Sequence, residues 1–258
     1  APGGKSSQIK NKLGEDGVLV SNEIVPSRCK ILTGNMERMG FKNVVTTCMH
    51  PQKLQKVFPK TFDMIMVDAP CSGEGMFRKN EEAHTEWSPE NVQMCADRQD
   101  EILDAAADML MPGGRMVYST CTFAVEEDEQ QVEDFLQRHS CMRLISQEKL
   151  YPHKVRGEGH FVAVFQKDGG ETAYVKECKP WCSRAAETAY RAFEKQTFTL
   201  PIAKRLHETD GVLYALPDGV FDWKGLQVLR VGVRLGEVKN GRFEPDHSLA
   251  MCTKIDEV

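Results

Sequence analysis

The chain has 258 residues, 41% of them hydrophobic and 28% charged, with a net charge of −5 and a pI near 5.9. That balance suits a soluble globular protein of one or two domains. It contains no apolar run near the roughly 18 residues of a membrane helix, and it excludes a strongly basic, non-specific nucleic-acid binder. No signal peptide opens the chain, and nine cysteines (29, 48, 71, 95, 121, 141, 178, 182 and 252) in no paired framework fit a reducing, cytoplasmic setting. The first predicted feature is a glycine loop at Gly3-Gly4 with no strand ahead of it. Such a loop normally follows a strand, so the native N-terminus is expected upstream of Ala1. Residues 17–20 read as a short strand leading to Glu23, and residues 27–39 as a helix stopped by Gly40. Residues 44–47 form the next strand. Residues 62–67 form an apolar strand of the kind buried on both faces of a parallel sheet, running into Asp68-Ala69-Pro70-Cys71.

Ser88-Pro89-Glu90 reads as a helix start, with a cap, a proline in the first turn and an acid at the positive end. That helix should run past Leu110 to a stop at Pro112-Gly113-Gly114. A buried strand at 116–118 ends at Ser119-Thr120-Cys121-Thr122, an acidic helix covers about 126–138, and a strand at 161–165 closes the alternation. Strands alternating with helices imply an α/β fold with a doubly wound sheet over residues 1–170. After a linker at 167–170, residues 171–258 read as a linker helix (183–195) and a small, mostly β domain with strands at 212–216 and 228–231. Asn240-Gly241 marks a hairpin between 237–238 and Phe243.

In a doubly wound sheet, ligands bind beyond the carboxyl ends of the strands. Gly3 and Gly4 permit close backbone approach, and Glu23 stands where an acid can accept hydrogen bonds from both hydroxyls of a nucleoside ribose. Gly4-Lys5-Ser6 also matches the end of a phosphate-binding loop, whose remaining glycine would fall upstream of Ala1. Most of the cysteines read as small buried hydrophobes. Cys71 and Cys121 differ because each follows a strand end. Local basic patches are Arg78-Lys79, His153-Lys154-Arg156-His160 and Lys204-Arg205, each also explicable as solvated surface. Cys178 and Cys182 lack a second pair at metal-ligand spacing, so no metal site is assigned. Trp181 and Phe193 are expected to pack the linker helix. Arg191 and Lys195 share a helix face.

Three motifs together carry a resemblance: Ala1-Pro2-Gly3-Gly4-Lys5, Asp68-Ala69-Pro70-Cys71-Ser72-Gly73-Glu74-Gly75 and Tyr118-Ser119-Thr120-Cys121-Thr122. They resemble the RNA cytosine-5 methyltransferase family, the NOP2/Sun group. Met76-Phe77-Arg78-Lys79-Asn80, Trp87-Ser88-Pro89-Glu90-Asn91 and Gly157-Glu158-Gly159-His160-Phe161 are similar to the branch acting on small-subunit ribosomal RNA. The resemblance covers nearly all of residues 1–166 and extends, more weakly, over 211–250, which is similar to an RNA-binding C-terminal region.

This resemblance implies a Rossmann-like methyltransferase sheet and S-adenosylmethionine as cofactor. It places the cofactor on Ala1, Pro2, Gly3, Gly4, Lys5, Ser6, Glu23 and Asp68, with Lys5 orienting the site. Carbon 5 of cytosine is a poor nucleophile, and its methylation needs a thiolate added at carbon 6, help at ring nitrogen 3, and assisted release of the thiol. By motif, Cys121 is the nucleophile, Cys71 assists release and Asp68 contacts the cytosine. The DNA cytosine-5 enzymes use the cysteine of a Pro-Cys pair, which would exchange the two roles. The family often carries an acid near the adenine where this chain has His50. The implied partner is small-subunit ribosomal RNA, with a monomer and no membrane. Transfer RNA as substrate, an RNA-binding fragment without catalysis, and a phosphate-loop nucleotidase are the competing readings.

Overall fold

The computed structural model describes residues 2–14 and 17–253. The chain opens with α1 (Gly4–Leu13), β1 (Leu19–Asn22), α2 (Pro26–Arg38), β2 (Val44–Thr47), α3 (Pro51–Val57) and β3 (Phe62–Asp68). A 3-10 turn at Glu74–Met76 leads to α4 (Glu81–Glu86), α5 (Pro89–Met109), β4 (Leu110–Thr120), α6 (Glu129–Arg138), β5 (Met142–Leu150) and β6 (His160–Lys167). Then follow α7 (Arg184–Thr197), β7 (Leu206–Thr209), β8 (Val212–Ala215), β9 (Val228–Val231), β10 (Val233–Lys239), β11 (Arg242–Pro245) and α8 (His247–Cys252). The chain divides into two compact units, Ala1–Met49 with Lys176–Val258, and His50–Val175.

The unit His50–Val175 is built on a four-stranded sheet of order β3-β4-β6-β5. β3 and β4 pair in parallel, whereas β6 runs antiparallel to both β4 and β5. The expected cap on α5 forms, Ser88 Oγ accepting the Asn91 N–H at 3.1 Å. The apolar side of α5, with Leu103, Ala106 and Ala107, packs into a core with Met116, Tyr118, Phe135, Phe161 and Phe165, all nearly or fully buried. Burying one such large side chain is worth about 2 kcal/mol. Two expectations change here. The helix ends at Met109, and Pro112-Gly113-Gly114 belongs to the first part of β4, where the register with β3 shifts between Phe62 and Met64. β3 is not buried on both faces: it is an edge strand of its sheet, and Met64 is 61% exposed.

In the other unit, β1 and β2 pair in parallel, as βα units require. Cys29, Leu32 and Met36, at helical spacing, form the buried stripe of α2, and Leu32 and Met36 pack on Val44 of β2. Residues 228–231 are a strand as expected, but not in the small β domain: β9 pairs antiparallel with β2, Val45 opposite Val231. Beside it, buried Arg230 donates to the carbonyls of Gly232 and Phe41. The small sheet has the order β11-β10-β8-β7 and is antiparallel throughout. Its β10–β11 hairpin turns at Asn240 and Gly241, both at positive φ, as a two-residue primed turn demands. Ser183 caps α7, and Tyr190, Leu213, Leu235 and Leu249 fill this second core. Phe193 packs there with Phe198 and Phe243, but Trp181 does not: it is 62% exposed. Among the described residues no helix is long and apolar enough to cross a membrane.

Candidate active site

Parallel pairing of β3 with β4 sets Asp68 opposite Ser119, so both strands end together and release their loops on the same side. Ser119 Oγ donates to Asp68 Oδ1 at 3.3 Å, and the Ala69 N–H donates to the Ser119 carbonyl at 3.1 Å. Three residues beyond Asp68 and two beyond Ser119, the sulfurs of Cys71 and Cys121 lie 3.2 Å apart. The structure thus brings together Asp68, Cys71 and Cys121, the residues the sequence singles out for chemistry in this unit. The Cys121 N–H also points at Cys71 Sγ, at 3.3 Å. The Cys71 thiol is pushed strongly upward, first by its hydrogen bond to the Cys121 sulfur and then by burial. It therefore holds its proton tightly, in a sulfur–sulfur contact where either thiol can be the donor.

The two cysteine loops are stitched to each other. Ser72 Oγ and Thr122 Oγ1 are 2.8 Å apart, and the Gly75 N–H donates to the Cys121 carbonyl at 2.8 Å. Gly75 has to be glycine for space: a Cβ there would stand 2.8 Å from the Cys121 carbonyl oxygen. Glu74 Oε2 accepts the Phe123 N–H at 2.8 Å.

Beneath the loops lies a polar layer that sequence reasoning missed, formed by Gln99, Tyr118, Glu127, Asp128 and Lys149. Glu127 and Asp128 are fully buried, although they sit in an acidic run read as the start of a helix. α6 starts only at Glu129, so these two acids turn inward from the loop. The available signal was four consecutive acids directly after a strand-end cysteine loop, more charge than a cap needs. Glu127 is pushed up by burial, against the pull of its Ser72 and Gln99 donors. Asp128 is pushed up to about 6 by burial, opposed by Thr120 Oγ1 at 2.6 Å and by Lys149, whose ammonium lies 3.0 Å away.

The residues expected to hold a cofactor near the start of the chain belong to the other unit, except Asp68. Ala1 lies outside the described residues. The Pro2 carbonyl accepts from Asn35 Nδ2 at 2.7 Å, and Ser6 Oγ is 2.7 Å from Ser21 Oγ, tying α1 to β1. Gly3 takes φ +113 at the N-cap of α1, where no side chain caps the helix, and a Cβ there would press on Leu32 and Met36 at 3.0 and 3.1 Å. Lys5 lies in the first turn of α1. Around Gly4 the position of a Cβ has no atom within 4 Å. Glu23 follows β1, accepts the Val25 N–H at 3.1 Å and pairs with Arg28 at 3.2 Å. Burial pushes its carboxyl up, but the Val25 amide and Arg28 pull the other way and the balance is downward. His50 is the exposed N-cap of α3.

The basic candidates fare unevenly. Arg78 and Lys79 both pair with Glu158, at 3.0 and 3.3 Å. Arg205 is committed to the carbonyls of Pro217 and Cys178, and Arg191 to Glu194 and the Ala203 carbonyl. Among the described residues, no group of three or more His, Cys, Asp or Glu is placed to hold a metal ion.

The fold is similar to that of NSun6 from Pyrococcus horikoshii, solved with SFG: TM-score 0.60 and 29% identity, covering 66% of this chain and 46% of that one. Fold and likeness define the class, the Rossmann-like methyltransferase fold. The family model for 16S rRNA methyltransferase RsmB/F matches residues 1–168, and the chain belongs to that family. Residues 192–252 match the first C-terminal domain of RsmF rRNA methyltransferase. Among curated relatives, ribosomal RNA small subunit methyltransferase F of Serratia proteamaculans is 46% identical over 53% of this chain and 28% of the relative. Its counterpart from Cronobacter sakazakii is 31% identical over 98% of this chain and 58% of the relative. The chain therefore spans 58% of the length of a relative that it matches almost end to end.

Proposed function

We propose that the protein methylates carbon 5 of a cytidine in small-subunit ribosomal RNA through a transient covalent bond to Cys121. The observation that carries this reading is the pair of thiols 3.2 Å apart beside Asp68, at the ends of two parallel strands. One thiol with a single carboxylate would suit many reactions. Two thiols in contact suit one that must both make and break a sulfur–carbon bond.

Residues 1–170 are assigned to catalysis and 171–258 to RNA contact, in a cytoplasmic monomer. The start of the chain fits the cofactor. The first turn of α1 offers amide groups at its positive end without a side-chain cap, with open space at Gly4, which suits the cofactor's carboxylate. Glu23, kept as a carboxylate, suits the ribose hydroxyls. Bound S-adenosylmethionine supplies an electrophilic methyl group.

In this reading the protonated Cys71 thiol serves as the donor of the sulfur–sulfur contact, which favours a thiolate at Cys121, the form that attacks. Cys121 Sγ adds to carbon 6 while Asp68 holds the polar edge of the ring, and carbon 5 becomes nucleophilic. After methylation a base takes the carbon 5 proton. The electron pair restores the ring double bond, the carbon–sulfur bond breaks, and Cys121 returns as a thiolate to the Cys71 thiol.

The test is a denaturing gel of protein mixed with ribosomal RNA and S-adenosylmethionine. Cys71→Ala should accumulate a slow-migrating protein–RNA adduct, and Cys121→Ala should form none and transfer no methyl. An adduct with Cys121→Ala alone would reverse the roles. A wild-type protein that methylates no cytidine in bisulfite mapping sinks the reading.

A further inference from the structure

The polar layer beneath the cysteines has a more specific organisation than burial alone requires. Both Glu127 oxygens accept the Ser72 N–H, at 3.2 and 3.0 Å, and Gln99 Nε2 donates to Glu127 Oε2 at 2.8 Å. The same Gln99 nitrogen donates to the Pro70 carbonyl at 2.8 Å. These two acceptors at its nitrogen fix the orientation of the Gln99 amide, whose oxygen lies 2.9 Å from the Tyr118 hydroxyl, a donor shared with the Glu127 carbonyl at 2.6 Å. Cys71 is thus gripped on both sides: the residue before it by Gln99, the residue after it by Glu127. Glu127 and Gln99 are fully buried, and a buried polar network whose members are all satisfied is rigid.

We propose that Glu127, acting through Gln99, is the positioning residue that sets the Cys71 sulfur against Cys121. It touches neither sulfur, so it is not a catalytic residue. Its carboxylate is the part that matters. The Ser72 N–H and the Gln99 amide group both need an acceptor, and an amide in place of Glu127 presents one donor where both oxygens now accept. The Glu127 charge also adds to the forces that keep the proton on Cys71. Glu126, one residue earlier and exposed, makes none of these contacts and serves as the matched control.

The inference rests on the proposed reaction only for its kinetic arm. Its geometric arm is independent: diamide oxidation of the folded protein, quenching by alkylation, and peptide mapping of the Cys71–Cys121 disulfide by mass spectrometry. The two thiols give up two electrons and two protons to the azo bond of diamide, which becomes the hydrazine. Wild type and Glu126→Gln should cross-link this pair at the same rate. Glu127→Gln should do so at least about tenfold more slowly while melting cooperatively. A misplacement near 1 Å at a reacting group costs on the order of 100-fold in rate. In RNA methylation Glu127→Gln should therefore lose about that factor in kcat, with KM for RNA within about twofold.

Gln99→Met, which keeps volume and removes both donors, should slow cross-linking in the same direction. It decides the matter if Glu127→Gln does not fold. Combined with Glu127→Gln it should add little, since both act on one loop. Folded variants that cross-link Cys71 to Cys121 at the wild-type rate would overturn the proposal. A protein that cross-links as expected but methylates nothing would instead overturn the proposed function.

Discussion

Two buried glutamates, one in each unit, make an instructive pair. Glu194, 6% exposed on α7, accepts the Tyr190 hydroxyl at 2.9 Å and the amides of Ile202 and Ala203 at 2.8 and 3.1 Å, and pairs with Arg191 at 2.6 Å. Glu127 is as well supplied with amide donors, but among the described residues no cation pairs with its carboxylate. Burial pushes both carboxyls up. With Arg191 and its donors Glu194 nonetheless ends below its ordinary range, whereas Glu127 ends above it. Hydrogen bonds alone do not offset the desolvation of a charge, and a guanidinium added to them does. The first glutamate is a staple between α7 and the following loop. The second is a costly charge retained beneath two thiols, the kind of local expense that accumulates at functional sites.

The largest effect should come from Glu194→Ala, which strips Arg191, Tyr190 and two buried amides of their acceptor. A loss of about 3 kcal/mol in urea denaturation is expected. A loss no greater than that of Glu127→Gln would break the contrast. Next, Lys149→Met should turn Asp128 into a second unpaired acid. Its midpoint, already pushed up to about 6, should rise further when followed by carboxyl NMR, at a cost near 1 kcal/mol.

The smallest effect is the most diagnostic, because the two glutamates link to pH with opposite sign. A carboxyl raised by folding binds its proton more tightly in the folded state, so stability falls as pH climbs from the ordinary carboxylate range toward the raised value. A lowered carboxyl contributes fully above the ordinary range and loses that contribution as pH falls through the lowered value. From about pH 4 upward the stability gap between wild type and Glu127→Gln should therefore shrink with rising pH, whereas the gap to Glu194→Gln should grow with pH only below about pH 5 and then level off. A few tenths of a kcal/mol per pH unit suffice to see it. Slopes of the same sign would dissolve the comparison.

The sequence was most legible where the signal is local. Ser88 caps the helix it was expected to cap, the helix expected over 183–195 forms, and Asn240-Gly241 turns its hairpin. Residues 44–47 form β2 with the expected bounds, and the motif-bearing strand ends bring Asp68, Cys71 and Cys121 together. What stayed hidden depends on partners far away. The apolar run 228–231 says strand but not which sheet, and β2 claimed it. β5, mostly exposed and polar in Met142–Leu150, carries no clear period-two pattern, so it was missed. Glu127 was missed because an acid in an acidic run looks solvated until the loop that turns it inward is known.

The union of β2 with β9 also bears on how the protein comes into being. Val45 must wait for Val231, a separation of roughly 180 residues, and closing so long a loop is slow and entropically costly. His50–Val175, by contrast, is one uninterrupted stretch that can collapse on its own partners as it leaves the ribosome. The segment bearing both thiols is thus poised to be shaped early in synthesis. β2, made before it, completes its sheet only when β9 arrives.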